Sequence, residues 1–323
     1  MSASSYHILV TDPLHESGLA LLRRADSFTI TAPGKMDRAA ALAAVADADA
    51  LIIRSGTTAD RELIEAGAKL RAICRAGVGV DNVDVESATA RKIVVMNTPD
   101  GNAVATAELT LGLMLALARH IGPASAALGV GRWERRAFEG TQLKGKTLGI
   151  VGLGRIGSAV ARRAAAFEMR VIASDPCRTP GEMAAMGVEC VTWAELLAQA
   201  DYISLHAPLT RETHHLINAE TLAAMKDGVR IINTARGAIV DEAALADAIR
   251  RGKVAGAAVD VYSVEPPVDN PLIGLPGVVH TPHLGASTAE AQEAVAVEAA
   301  ELVIDALLRG QYRNVVNPEA LRA

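Results

Sequence analysis

Aromatic side chains are scarce in this sequence: two Trp, four Tyr and three Phe amount to 3% of 323 residues, although half of all residues are hydrophobic. A hydrophobic chain so poor in aromatics and rich in alanine suits helices packed closely on a sheet, and it excludes a disordered chain. Cysteine is rare too. Cys74, Cys177 and Cys190 form no CxxC pair and are odd in number, so they read as reduced, structural thiols. An excess of positive charge is missing. The formal net charge is −5, so no nucleic acid or membrane partner is expected, and any anionic substrate must be held by local cations. The longest apolar run, residues 109–118, is interrupted by Thr110 and Gly112 and stops at Arg119, too short for a bilayer. Residues 1–10 lack the basic start and apolar stretch of a secretory leader. A soluble, cytoplasmic protein is expected.

What the sequence does have is alternation. Residues 7–10, 50–53, 71–73 and 93–96 read as strands, and residues 16–24, 38–46 and 61–66 as helices between them. Residues 102–120 read as one long helix with Asn102 at its start and Leu109, Leu113 and Leu117 on a helical period. A second strand–helix series begins at Thr147, and residues 288–308 read as a long C-terminal helix. The expected fold is α/β, with two Rossmann-like, doubly wound parallel-sheet domains and a cleft between them. Residues 1–100 plus 289–323 would form a discontinuous substrate-binding domain, and residues 101–288 the nucleotide-binding one.

The second series opens on a fingerprint. Strand residues 147–151 run into Gly152-Leu153-Gly154-Arg155-Ile156-Gly157, and a helical run, residues 156–167, follows. Gly152 permits a tight turn, Gly154 lets the backbone approach a pyrophosphate, and Gly157 lets the helix sit on the strand. The next strand, residues 170–173, leads to Asp175, placed to accept hydrogen bonds from the adenosine ribose of NAD and to repel the extra phosphate of NADP. Arg178 nearby weakens that preference slightly.

Three further residues stand beyond later strands: Arg236 after residues 229–233, Glu265 after residues 257–261, and His283 after residues 278–280. Hydride transfer from a 2-hydroxy acid needs a group near neutrality for the hydroxyl proton, a carboxylate to orient it, and a cation for the substrate carboxylate. Taken singly, Glu265 reads as a surface acid and Arg236 as a helix-end cation. A metal site from His280 and His283 lacks a third ligand, so no metal is expected. His214 and His215 read as a solvated loop, and His206 as lining an adenine pocket.

Four segments, residues 149–157, 233–242, 256–267 and 282–288, resemble the D-isomer-specific 2-hydroxyacid dehydrogenases in order and spacing. Residues 53–55, 75–84, 96–102 and 131–135 resemble in particular the members acting on 3-phosphoglycerate, and the likeness covers essentially the whole chain. The resemblance implies that Arg236, Glu265 and His283 are catalytic. It implies that Asp260 holds the nicotinamide amide, and that Pro208, Thr213, Thr234, Ala235 and Gly285 join Arg155 and Ile156 of the glycine turn against NAD. It implies a substrate side made by Arg54, Ser55, Arg75, Val78, Gly79 and Asn102, with Arg135 reaching in from a partner subunit. A homodimer is implied, formed through two crossing helices and a loop around residues 122–141.

The implied activity is NAD-dependent oxidation of 3-phospho-D-glycerate to 3-phosphohydroxypyruvate, the first step of serine biosynthesis. Arg54 and Arg75 would pair with the phosphate dianion. Ala207 and Ala238 depart slightly from the family pattern. The sequence ends after Val315-Val316-Asn317-Pro318, where many relatives continue into a serine-sensing domain, so no serine feedback through such a domain is expected. Two other readings share the motifs: a hydroxypyruvate, glyoxylate or D-lactate reductase, and an NAD-sensing binding protein like the corepressors of the same fold.

Overall fold

A computed structural model describes residues 5–322; Met1–Ser4, where the segment read for a leader begins, and Ala323 lie outside the described residues. The chain divides into two compact units, Met1–Asn102 with Ala286–Ala323, and Ala103–Gly285.

The first unit begins β1 (Tyr6–Val10), α1 (Glu16–Arg23), β2 (Phe28–Thr31), α2 (Arg38–Val45), β3 (Ala50–Ile53), α3 (Arg61–Ala66), β4 (Ala72–Arg75), α4 (Val85–Ala90) and β5 (Val94–Asn97). The strands pair in parallel in the order β2-β1-β3-β4-β5. Their residues alternate between two cores: Ile8 and Val10 face one, Leu9 the other. Burial on both faces explains why these strands read as short continuous apolar runs. The order reverses between β1 and β3, so the turns that follow them occupy the point where such sheets present ligands. β2 and α4 escaped the sequence reading. β2 is a half-buried edge strand, and α4 is a six-residue helix whose cap, Asp84 accepting from the Ser87 amide, is its main signal. β4 runs two residues further than expected, so Arg75 is its last residue and does not follow it.

The second unit starts with α5 (Ala103–Arg119) and α6 (Ile121–Gly129), followed by a 3-10 turn, Arg135–Phe138. His120 adopts a left-handed backbone, φ 52°, and the two helices meet there at 64°. The segment expected as a loop is therefore largely helical. Pro123 does not prevent this, because it lies in the first turn, where its missing N–H has no intrahelical partner. Among the described residues no single helix is long and apolar enough to cross a membrane.

There follow β6 (Thr147–Val151), α7 (Arg155–Ala166), β7 (Arg170–Ser174), α8 (Pro180–Ala185), β8 (Glu189–Cys190), α9 (Trp193–Gln199) and β9 (Tyr202–Leu205). After them come α10 (Ala219–Ala224), β10 (Val229–Asn233), α11 (Glu242–Arg250), β11 (Val254–Val259) and β12 (Val278–His280). All seven strands of this sheet are parallel, in the order β12-β11-β10-β9-β6-β7-β8. This is the dinucleotide-fold order, with its reversal between β6 and β9. Helix starts are marked by capping side chains: Thr179 and Thr192 form full capping boxes with Glu182 and Glu195, and Asp241 accepts from the Ala244 amide. Each such cap contributes about 1 kcal/mol.

α12 (Ala289–Ile304) returns the chain to the first unit and ends in a π-helical turn, Asp305–Arg309. It packs on α1 so closely that a Cβ on Gly18 would stand 2.9 Å from the Ala296 Cβ.

Candidate active site

The glycine turn of the second unit is shaped by close approach. Gly152 has φ +87°, and a Cβ there would lie 2.8 Å from the Ala207 amide nitrogen and 2.9 Å from the His206 carbonyl carbon. A Cβ on Gly157 would overlap the Gly152 carbonyl. Gly154 is the N-cap of α7, makes no side-chain cap, and faces open space. The first amides of a 12-residue helix thus open onto room for an anion, which fits a pyrophosphate. Arg155 and Ile156 form the first turn.

Asp175 latches this turn from the neighbouring strand. Its Oδ2 accepts from the Leu153 amide at 2.6 Å and its Oδ1 from the Cys177 amide at 2.7 Å. Arg178 pairs with Glu182 at 3.5 Å. After β9, His206 shares a 2.8 Å hydrogen bond with the Ser204 hydroxyl through Nε2. Burial pushes its imidazole down to about 3, so the ring is neutral near pH 7. Pro208 is exposed, and its carbonyl accepts from the Thr213 hydroxyl at 2.6 Å, which folds that loop on itself. His214 and His215 stack with ring centroids 4.1 Å apart and are exposed.

The next three strand ends converge. After β10, the Asn233 side chain accepts from the Ala235 amide at 3.1 Å and donates to the Arg236 carbonyl at 2.8 Å, curling the chain around Arg236. Arg236 donates from its guanidinium to the Ala235 carbonyl at 2.6 Å. Gly237 then presses on the turn after β11: a Cβ there would overlap the Tyr262 carbonyl carbon. Ala238, the neighbouring departure, accepts from the His215 amide through its carbonyl at 2.9 Å.

β11 ends at Val259, two residues earlier than expected, because Asp260 turns inward. Its fully buried carboxylate accepts from the Thr281 hydroxyl at 2.6 Å and from the amides of Leu284 and Gly285 at 2.7 and 2.9 Å. The His283 amide donates to the Asp260 carbonyl at 2.9 Å. These bonds hold His283 in a left-handed conformation, φ 54°, with Nδ1 2.6 Å from Glu265 Oε2. The Tyr262 amide donates to Glu265 Oε1 at 3.1 Å. Burial alone would raise the Glu265 carboxyl. The His283 hydrogen bond, the Tyr262 amide and the charges of His283 and Arg236 outweigh that and hold it below its ordinary value. So Arg236, Glu265 and His283 form one electrostatic cluster, fixed by backbone. Among the described residues no three His, Cys, Asp or Glu side chains group to hold a metal ion.

In the first unit, Arg54 and Ser55 form the turn after β3. Two residues not singled out from the sequence hold that turn. Asp12, buried after β1, accepts at Oδ2 from the Arg54 amide at 2.6 Å and the Thr57 amide at 3.1 Å. Asn82 donates to the carbonyls of Arg54 at 2.6 Å and Thr57 at 2.5 Å. Asp12 stands two residues beyond the end of β1, and that strand-end position was the available signal. Arg75 lies over Gly77, where a Cβ would overlap its guanidinium. The Val78 carbonyl accepts from Asn97 at 2.5 Å, and Val78 and Gly79 are half-buried. Asn102 is half-buried at the end of this unit, and Arg135 is exposed on the 3-10 turn of the second.

Residues 111–285 match the family model described as D-isomer specific 2-hydroxyacid dehydrogenase, NAD binding domain. D-3-phosphoglycerate dehydrogenase of Methanocaldococcus jannaschii is 50% identical over 313 residues, which cover 96% of this chain and 59% of that protein. The chain thus spans less than two thirds of that relative. Hydroxypyruvate reductase of Thermotoga maritima is 45% identical over 305 residues, 94% of this chain and 98% of that one. The crystal structure of a glyoxylate reductase from Paecilomyes thermophila superposes with a TM-score of 0.89 at 34% identity, covering 97% of this chain and 98% of that one.

Proposed function

The chain belongs to the D-isomer specific 2-hydroxyacid dehydrogenase family, and from that premise we propose that it oxidises 3-phospho-D-glycerate to 3-phosphohydroxypyruvate with NAD, the reaction that opens serine biosynthesis. The observation that carries the chemistry is the 2.6 Å bond between His283 Nδ1 and Glu265 in a carboxylate that also feels Arg236. With Nδ1 donating to Glu265, Nε2 of His283 is left to accept the proton of the substrate hydroxyl. Glu265 then balances the imidazolium, and in reverse the same pair returns the proton. Arg236 takes the substrate carboxylate. Bound NAD supplies the acceptor for the hydride that leaves the hydroxyl-bearing carbon.

The amides of Gly154, Arg155 and Ile156 would hold the pyrophosphate, in the turn that Gly152 and Gly157 permit. Asp175 would hold the ribose, and Pro208, Thr213, Thr234, Ala235, Asp260 and Gly285 are the further residues that would hold NAD, the last four at its nicotinamide. Asp260 already accepts three hydrogen bonds, so its part in holding the amide comes in addition to bracing the His283 turn. Arg54 and Arg75 take the phosphate, with Ser55, Val78, Gly79 and Asn102 beside them. The 50% identity to a protein of that specificity supports the phosphate assignment. A homodimer built through α6 and the following turn is supported by exposed apolar groups there: Ile121, Leu128, Val130 and Trp133, the last 76% exposed. In such a dimer Arg135 of each copy would serve the other.

The test is NADH consumption with 3-phosphohydroxypyruvate and with hydroxypyruvate at matched concentrations. A strong preference for the phosphorylated acid supports the proposal, and Arg54→Ala should abolish that preference. Equal or reversed preference would move the reading to a hydroxypyruvate reductase, the activity by which the Thermotoga maritima relative is named.

A further inference from the structure

Two threonines on the buried face of α5 connect the turn carrying Arg236 to the turn carrying His283. Thr106 donates its hydroxyl to the Gly285 carbonyl at 3.1 Å, and Thr110 donates to the Thr106 carbonyl at 2.8 Å. The Thr110 oxygen also lies 2.8 Å from the Thr234 hydroxyl. A carbonyl only accepts, so the single Thr110 hydrogen is used on Thr106, and Thr234 must be the donor to Thr110. The result is a continuous chain: Thr234, Thr110, Thr106, Gly285. All three threonines are buried, with exposures of 6%, 0% and 4% in that order.

Each end of this chain reaches reacting groups through very few bonds. Thr234 lies two residues before Arg236, in the curl held by Asn233. Gly285 lies two residues after His283, and its peptide is gripped on both sides, the amide by Asp260 and the carbonyl by Thr106. A Cβ on Gly285 would stand 3.3 Å from the Thr106 hydroxyl and 3.4 Å from Asp260, so the fit there leaves no slack. α5 itself has a large apolar face in the core around Ala107, Leu111 and Met114.

We propose that Thr106 and Thr110 are positioning residues that fix the His283 turn and the Arg236 turn relative to one another, an inference that rests on the catalytic roles given above to His283 and Arg236. The proton acceptor and the carboxylate-binding cation act on neighbouring atoms of a small substrate. A displacement of about 1 Å between them is enough to lower turnover by roughly a hundredfold. Buried hydroxyls aimed at backbone resist such drift because an unmet carbonyl in the core is costly.

The test compares Thr106→Val, Thr110→Val and the corresponding serine variants in the full chain. The valines should lower kcat by roughly 10- to 100-fold, and the serines, which restore the hydroxyl, should recover most of the loss. Independently of turnover, carbon-13 NMR of Glu265 should show its carboxyl titrating at higher pH in Thr106→Val than in wild type, as the His283 contact loosens. Valine variants with wild-type kcat, or a loss that serine does not rescue, would overturn the proposal. If the wild-type chain turned over no 2-oxo acid with NADH, the catalytic reading would fall, and an unchanged Glu265 titration in Thr106→Val would then overturn the positioning role by itself.

Discussion

His283 and Glu265 meet at 2.6 Å across 18 residues of chain, and the meeting is imposed by backbone: the Asp260 carbonyl holds the His283 amide while the Tyr262 amide holds the far oxygen of Glu265. The pair is therefore preorganised, and its strength depends on the charge of Glu265.

Glu265→Gln keeps the shape and removes that charge. Turnover in the oxidative direction should fall by about a hundredfold, measured by NADH appearance. A pH signature accompanies it. The folded Glu265 carboxyl ionises below its unfolded value of about 4.3, so the stability it contributes is present above that pH and is lost as pH falls through the folded value. The gap in Tm between wild type and Glu265→Gln should narrow as pH drops below about 4.3. A gap unchanged between pH 6 and pH 3 would contradict the coupling.

His206 gives the opposite residue type with the same sign of pH dependence. Burial depresses its imidazole to about 3, against about 6.5 in the unfolded chain. The unfolded state therefore binds the extra proton first, and stability present above pH 6.5 drains away as pH falls toward 3. The shortfall at pH 5 is about 2 kcal/mol. His206→Gln should flatten the stability profile between pH 6.5 and 5 in urea titrations. A profile as steep as wild type would show that the folded ring protonates freely.

Asp175 has two functions that a comparison of NADP with NAD can separate. It latches the glycine turn through the Leu153 and Cys177 amides, and its charge opposes a ribose phosphate. Asp175→Asn loses the charge and keeps only one of the two acceptor oxygens; the loosened latch affects both cofactors alike, so the ratio of kcat/KM for NADP to that for NAD should still rise about tenfold, equivalent to about 1.4 kcal/mol. Adding Glu182→Gln releases Arg178 from its 3.5 Å partner and should raise the ratio further. A double variant no better with NADP than the single one would show that Arg178 does not reach the ribose.

The parts of the molecule legible in the sequence are those where backbone crowding leaves a residue no choice. Gly152 and Gly157 announce the nucleotide turn because any Cβ there meets a neighbouring main chain, and the fully buried parallel strands announce themselves as apolar runs. The hydrogen-bonded supports are silent. Thr110 looks like an interruption of the apolar run on α5, yet it bonds to a residue 124 positions away, a distance at which no local pattern carries a signal. α6 was hidden for another reason: Gly122 and Pro123 look like turn residues, although both fall in the first helical turn, where they are tolerated.

Asp12 makes the Arg54 turn, proposed above to take the substrate phosphate, depend on a buried carboxylate outside that proposed set. Its carboxylate, 4% exposed, accepts the amides of Arg54 and Thr57 and leaves no room for a Cβ on Gly56. Asn82 holds the carbonyls of the same two residues, so the turn that aims Arg54 is gripped on both edges. Asp12→Asn replaces a charged acceptor by a neutral one and should weaken each amide bond by about 1 kcal/mol. The loosened turn should raise KM for 3-phosphohydroxypyruvate severalfold, with the Kd for NAD unchanged, since the glycine turn belongs to the other unit. Hydroxypyruvate, which has no phosphate for Arg54, should be affected far less. Equal losses on both substrates would mean that Asp12 serves the fold of the first unit as a whole and does not act through Arg54.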